Sequence, residues 1–425
     1  MGLFDKMKNV ANNAKQALEA SGLKESATSF IDNIKSNNSS NEPKENVASS
    51  STGFKKAEFE FCDPNTLTYT VSRDFEFRYL DEAPNGQKFY AITKYIGFGE
   101  ENLEIPSIID DKYIFEIDDM AFKSVSGIKH IKLPESLSII GHTAFFECED
   151  LETVILPEKL SSIGIGAFAK TKLEKIEIPD SVDTMFESCF MGCGNLRYVK
   201  LPAGLSEIPE KAFSKCSHIN TVVFPKDDFK VGNNAFDYAS IKLDEFPSNC
   251  TFIGNNAFCF SSSSFKDGLK LPKGLTHIGK RGLSYIGCKQ IFIPASVKEI
   301  GREAFYYSDD VEEIYIEKGC EAELPFGLFN NCKNLIKLSI PSTVSKIDEC
   351  VFACLENATI LGIHGEEGVP EEEFADPDIE PMSDGALQYQ WIERIPKGLT
   401  IYCEAGSVAM DFARENKINF AKGEF

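Results

Sequence analysis

The dipeptide Ala-Phe returns along this chain at a nearly fixed distance, and no other feature limits the fold so strongly. It puts Phe122, Phe145, Phe168, Phe213, Phe236, Phe258 and Phe305 in one slot, with Phe190, Leu283, Phe329 and Phe352 as degenerate members. Successive intervals are 23, 23, 22, 23, 23, 22, 25, 22, 24 and 23 residues. An apolar residue followed by proline keeps the same step, at Ile105-Pro106, Leu133-Pro134, Leu156-Pro157, Ile178-Pro179, Leu201-Pro202, Phe224-Pro225, Phe246-Pro247, Leu271-Pro272, Ile293-Pro294 and Ile340-Pro341. Two markers locked to one period define a stack of repeats. A length of 425 residues would otherwise suggest two or three ordinary domains.

One unit, Leu151 to Phe168, reads LETVILPEKLSSIGIGAF. Leu151, Val154 and Leu156 give an apolar pattern that ends in alternation and predicts a short strand with one buried face. Pro157 has no N-H for a ladder and stops it. A second extended piece, LSSIG, leads through Gly164 into a turn that points Ala167 and Phe168 inward. Gly141, Gly232, Gly254, Gly279 and Gly301 hold the matching place, which a tight turn or positive φ would explain. A lone unit buries too few apolar side chains to offset the ordering of its backbone, so neighbours must stack and both ends need caps.

These residues carry a family resemblance. IIGHTAFFECEDLETVILPEKL, Ile139 to Leu160, resembles the BspA-type, or Treponema-type, leucine-rich repeat. The segment from Tyr95 to Phe122 resembles an entry repeat, and GLTIYCEAGSVAMDFARENKINF, Gly398 to Phe420, resembles a closing strand, Ser-led helix and strand. The resemblance covers about Phe54 to Phe425. It implies a binding scaffold rather than a reaction, often at the surface of bacteria or protists.

The expected fold is mainly β: a leucine-rich-repeat solenoid of about eleven 23-residue repeats with short parallel strands, terminal caps and an N-terminal amphipathic helix. Residues 1–53 hold six Lys and six acidic residues. Leu3, Met7, Val10, Ala14 and Ala17 make an apolar stripe there, followed by a linker from residue 36. Residues 54–90 alternate apolar and polar side chains and contain Pro84-Asn85-Gly86, predicting a β cap. The array then runs over 91–361, and 362–425 forms an acidic loop and a C-terminal cap. Between Gly362 and Gln390 stand nine acidic residues and no Lys or Arg. Clustered carboxylates suit calcium, but the loop lacks EF-hand spacing and reads as a solvated insertion.

Composition then narrows function. The net charge of -22 opposes nucleic-acid binding, which draws its affinity from cationic contacts to phosphate. No apolar run is long enough to span a bilayer and no secretory signal is recognised. The 13 cysteines are scattered, which fits reduced thiols. A cytoplasmic location is therefore expected, with the cell surface by a non-classical route as the alternative. Cys148, Cys193, Cys216 and Cys332 each follow the repeat Phe by three residues, predicting a ladder of small buried side chains. The pairs Cys189/Cys193 and Cys350/Cys354 lack a second pair or a His at zinc spacing. His130, His142, His218, His277 and His364 lie on different repeats with no recurring partner. Neither an enzyme, a cofactor nor a metal is expected.

A partner would meet the strand residues that alternate with the buried ones. The position just before the last buried strand residue reads Lys132, Ile155, Glu177, Lys200, Val223, Lys270, Phe292, Tyr315, Ser339 and Thr359. Exposed apolar and aromatic residues in such a column mark interfaces, so Ile155, Tyr198, Val223, Phe292 and Tyr315 are the candidate binding residues. The expected function is a non-enzymatic scaffold for a protein partner. The alternative is a surface or membrane-associated adhesin or tether, with weak membrane or helix contact through residues 1–35.

Overall fold

A computed structural model describes residues 74–83, 86–241, 243, 245–260, 264–265, 268–354, 392–393 and 395–423. The expected N-terminal helix, the linker and the acidic loop lie outside them. Among the described residues the helix is at the other end of the chain, Val408–Glu415.

The chain winds into a solenoid whose turns contribute short parallel strands to two columns. The first column holds the strand that ends at each apolar-Pro marker. It comprises ladders of three, three and six strands. They run through Asn102–Glu104, His130–Lys132 and Thr153–Ile155, then Lys175–Glu177, Tyr198–Lys200 and Thr221–Val223. The third ladder begins with Leu269–Lys270, Gln290–Ile293, Glu313–Ile316 and Lys337–Ser339. Every pairing between these repeats is parallel and in register, for example Ile176 with Val199 and Val199 with Val222. The ladder lapses in the turn of Leu243 and Phe246. A side pair, Ser264–Phe265 with Gly287–Cys288, runs beside the gap. The second column collects the shorter extended pieces before each glycine, such as Ile139–Ile140, Ser162–Ile163 and Thr184–Met185.

Between the columns lies one continuous core, because each turn covers the apolar face of the next. The repeat Phe is its axis. Phe145, Phe168, Phe190, Phe213 and Phe236 stack with ring centroids 5.1 to 5.4 Å apart and planes within 9°. Tyr95 extends the stack beyond Phe122 at 5.2 Å, and Phe412 on the helix meets Phe352 at 6.3 Å. The ladder is thus closed by an aromatic ring at each end.

At both ends extra strands extend a column. At the start, Phe75–Glu82 and Lys88–Tyr95 form an antiparallel hairpin, and the second strand pairs in parallel with Lys112–Ile117. Arg78 ties the hairpin to Asp118 and Glu116. At the finish, Thr400–Cys403 adds to Lys337–Ser339, and Asn419–Lys422 adds to Thr400–Cys403. The helix bridges those last strands. Ser407 caps it by accepting from the Met410 N-H, and its inner face buries Ala409, Met410, Phe412 and Ala413.

Of the two reasons expected for the repeated glycine, a tight turn or positive φ, the second does not hold. Gly141 and Gly164 are absent from the positive-φ residues. Their requirement is proximity: a Cβ on Gly164 would sit 2.6 Å from the carbonyl carbon of Gly141 in the turn before it. Positive φ falls instead two residues either side of the repeat Phe, at Thr143 and Glu147 around Phe145 and at Lys211 and Lys215 around Phe213.

Candidate interaction face

The first column presents the side chains between its buried residues as two outward rows. The structure brings the five candidate residues onto this surface. Ile155 pairs with Lys132 in the rung before it, Val223 with Lys200, and Phe292 with Tyr315. Tyr198 occupies the other row, across from Lys175 and Thr221. Ile155 and Val223 are 39% and 41% exposed. Phe292 and Tyr315 are half-buried, not fully solvent-facing, because their rings meet at 6.1 Å and 52°. Tyr198 is half-buried under Lys175, whose ammonium lies 5.1 Å from the ring centroid.

One position of the expected row changes. Thr359 lies outside the described residues, and the residue beside Ser339 is Tyr402, delivered from across the insertion by the strand Thr400–Cys403. Ser339 is 1% exposed between Tyr315 and Tyr402. A small residue at that rung lets the larger neighbours cover it, so Phe292, Tyr315 and Tyr402 form the aromatic end of the face. Repeat counting could not reach Tyr402, because the intervening insertion breaks the period.

Charged side chains on the face mostly satisfy one another. Lys132 binds Glu104 at 2.7 Å, Lys175 binds Glu177 at 2.6 Å, and Lys337 binds Glu313 at 2.6 Å. Gln290 also donates to Glu313 at 2.8 Å. The hydrogen bond from Lys337 holds the Glu313 carboxyl below the usual carboxylate range.

A second aromatic row, not foreseen from the sequence, follows the repeat Phe by two residues. Tyr238, Phe260, Tyr285 and Tyr307 stack at 4.4, 3.9 and 5.3 Å. All four have positive φ, between 53° and 59°. That backbone region is uncommon for bulky residues. In other turns the slot holds Ser124, Glu147, Lys170, Gly192 and Lys215. The row is written in the sequence at the same period, as the second residue after Phe236, Phe258, Leu283 and Phe305. The rings run along the turns that flank the lapse in the first column, and stacking across those turns offsets the backbone cost.

The chemistry-bearing residues elsewhere serve the stack. Cys148, Cys193, Cys216 and Cys332 donate to the carbonyls of Phe122, Phe168, Phe190 and Phe305 at 3.0 to 3.4 Å. Burial pushes the thiols of Cys148 and Cys332 up to about 12. His142 accepts from the Ile165 N-H at 2.9 Å, and His130 bonds Thr153 at 2.8 Å, each linking adjacent turns. Among the described residues no group of three His, Cys, Asp or Glu is placed to hold a metal. An open cleft of about 220 Å³ is lined by Glu149, Lys170, Thr171, Lys172 and Asn195, and the Thr171 hydroxyl is buried against Cys193 Sγ at 3.2 Å. No helix among the described residues is long and apolar enough to cross a membrane.

Comparison with known proteins places the chain. No curated protein matches it. A leucine rich cell surface protein from Faecalibacterium prausnitzii is 22% identical with a TM-score of 0.43, over 66% of this chain and 90% of that one. The leucine rich repeat protein of T. pallidum is 21% identical with a TM-score of 0.36, over 63% and 90%. The pneumococcal vaccine antigen PcpA is 17% identical with a TM-score of 0.38, over 84% and 98%. The profile of the BspA type leucine rich repeat region matches in six copies over residues 115–242 and 229–359. That span is more than half of the 425 residues, and the parallel in-register strands and Phe ladder are its physical content, so the chain belongs to the BspA type leucine rich repeat family.

Proposed function

We propose that this protein is a non-enzymatic scaffold that binds a protein partner on the outward face of the first strand column. The observation that carries the reading is the aromatic end of that face, where Phe292 and Tyr315 lie on adjacent strands and Tyr402 lies on the far side of the strand that carries the buried Ser339. A rigid sheet supplies such side chains at little conformational cost, and clustered aromatic residues dominate protein interfaces. Ile155, Tyr198 and Val223 extend the contact along the array, and the ion pairs between them form a polar surround. A cytoplasmic location belongs to the same proposal and is tested by cell fractionation.

The decisive experiment is affinity capture with the full chain and with a Phe292→Ser/Tyr315→Ser variant. The partner should be lost from the variant while its far-UV circular dichroism is unchanged. A control, Ile165→Ser, removes an exposed apolar residue away from this face and should keep the partner. Equal recovery by all three proteins refutes the site.

A further inference from the structure

The second column begins on an open strand. Phe75–Glu82 is the terminal member of its sheet, and among the described residues it pairs only with Lys88–Tyr95. The backbone groups along its other side are a template for a further strand. Its core-facing side chains lose cover along the strand: Phe75 is 4% exposed, Phe77 is half-buried, and Tyr79 is 51% exposed although its ring meets Tyr90 at 5.6 Å. Ile117, Ile140 and Ile163, which face the core from later strands of the same column, are all buried, because each has a strand on both sides.

The order Phe75-Glu76-Phe77-Arg78-Tyr79 says which strand fits there. Residues directly opposite in an antiparallel pair share a face of the sheet. A two-fold axis relating two such strands must therefore pass through a residue, so that aromatic side chains meet aromatic ones and charges meet charges. Centred on Glu76 or on Arg78, the pairing would set a charge against its own copy. Centred on Phe77, it sets Glu76 against Arg78 of a second copy, and Arg78 against Glu76 of that copy, on the outer face. On the core face Phe75 then meets Tyr79 and Phe77 meets its own copy. Lys94 already stands across from Glu76, and Glu116 stands beyond Ala91 from Arg78. Across the joint the outer row would thus read Lys94, Glu76, then Arg78, Ala91 and Glu116 of the second copy, with charges alternating in sign. The Arg78 side chain is 37% exposed even though it bonds Asp118, and a guanidinium has five N-H groups to share. The strand edge at the far end of the molecule, Asn419–Lys422, has no acidic residue to set against Lys422 and lacks this self-complementarity.

We propose that this chain pairs with a second copy of itself through residues 75–79, antiparallel about a two-fold axis at Phe77, so that two second columns join into one sheet. The contact is isologous, which is why a single strand supplies both halves of each charge pair. It covers Tyr79 and closes the open edge of both copies at once. The dimer holds two candidate binding faces in one assembly and does not depend on what those faces bind.

Sedimentation velocity of the full chain from about 1 to 100 µM tests it, since a contact smaller than a standard interface associates in that range. The mass should rise from 47.2 kDa towards twice that value. Glu76→Arg sets arginine against arginine at both contacts and should weaken association by about tenfold or more. Tyr79→Ser, which removes the exposed ring, should weaken it as well. Mixing Glu76→Arg with Arg78→Glu restores opposite charges in the mixed dimer alone, so association should return. Arg78 also ties its hairpin to Asp118, so circular dichroism checks the fold of Arg78→Glu; if that variant does not fold, Glu76→Arg and Tyr79→Ser carry the test. Phe420→Ser, at the other strand edge, should associate like the parent. A monomer at every concentration, as when the chain that precedes Asp74 takes the edge instead, overturns the proposal. So does a dimer that survives both Glu76→Arg and Tyr79→Ser, or one that is lost in Phe420→Ser alone.

Discussion

Replacing Phe213 by alanine tests whether the stacked ring ladder is what joins the turns. Phe213 is fully buried and stacks at 5.4 Å on both Phe190 and Phe236, with planes 1° and 9° from parallel. Truncating a buried Phe costs about 3 to 5 kcal/mol through lost transfer energy and the cavity left behind. The two ring contacts and the rigid parallel strands on either side, which restrict collapse, place Phe213→Ala near the upper end. Leucine is the informative control, since Leu283 already fills this slot fully buried. Phe213→Leu should cost only about 1 kcal/mol, because most of the volume is kept. Guanidinium unfolding followed by far-UV circular dichroism measures both. In a solenoid, stability is close to a sum of turn and interface terms. A lesion in the middle should therefore also broaden the transition or split it in two, each part with a smaller dependence on denaturant. A loss below about 1.5 kcal/mol for the alanine variant, or equal losses for alanine and leucine, would refute the ladder as the main inter-turn contact.

Other residues give independent checks. Gly164→Ala should destabilise strongly and lower the thermal midpoint, since its Cβ would lie 2.6 Å from the Gly141 carbonyl carbon; an unchanged midpoint would mean that the turns can separate. Burial raises the Asp237 carboxyl to about 6 from an ordinary 3.8. Its contribution is complete below the unfolded value and is lost as pH rises from about 4 to 6, so ionisation weakens the fold at neutral pH. The shift corresponds to at most about 3 kcal/mol, which solvent screening reduces to roughly 1 kcal/mol. Asp237→Asn should stabilise by about that amount at pH 7 and give no gain at pH 3.5, provided the amide keeps the same surroundings. Cys148 and Cys332, with thiols near 12, should resist alkylation at pH 8 in the native protein and react once it is unfolded. Rapid labelling of the folded chain would count against the buried thiol ladder.

The sequence exposed what recurs. Each turn meets a nearly identical neighbour, so the slot of Phe145 or Phe168 must meet the same demand every time, and the demand is written at one period. The proline after Leu156 or Leu201 ends a strand by a local rule, and Cys148 was legible as a small buried side chain because it keeps step with Phe145. The glycine slot was legible as special, but its reason was not. Whether Gly164 needs a positive φ or only lacks room for a Cβ depends on how closely the preceding turn approaches.

The binding face was partly legible for the same reason. Ile155, Val223, Phe292 and Tyr315 follow from alternation along a strand, which sets the outward side of each rung whatever lies beyond it. Three features needed the folded chain. The insertion had to be closed before Tyr402 could lie beside Ser339. Side chains had to reach one another before Lys132, Lys175 and Lys337 could pair with Glu104, Glu177 and Glu313. Stacking across turns had to be seen before left-handed residues such as Tyr285 made sense. Sequence alone determined the period, the core and the repeat family, because these depend on each turn's nearest neighbours. Tertiary structure decided which charges on the face are paired and which aromatic residue completes it, because those depend on distances between side chains that the period does not encode.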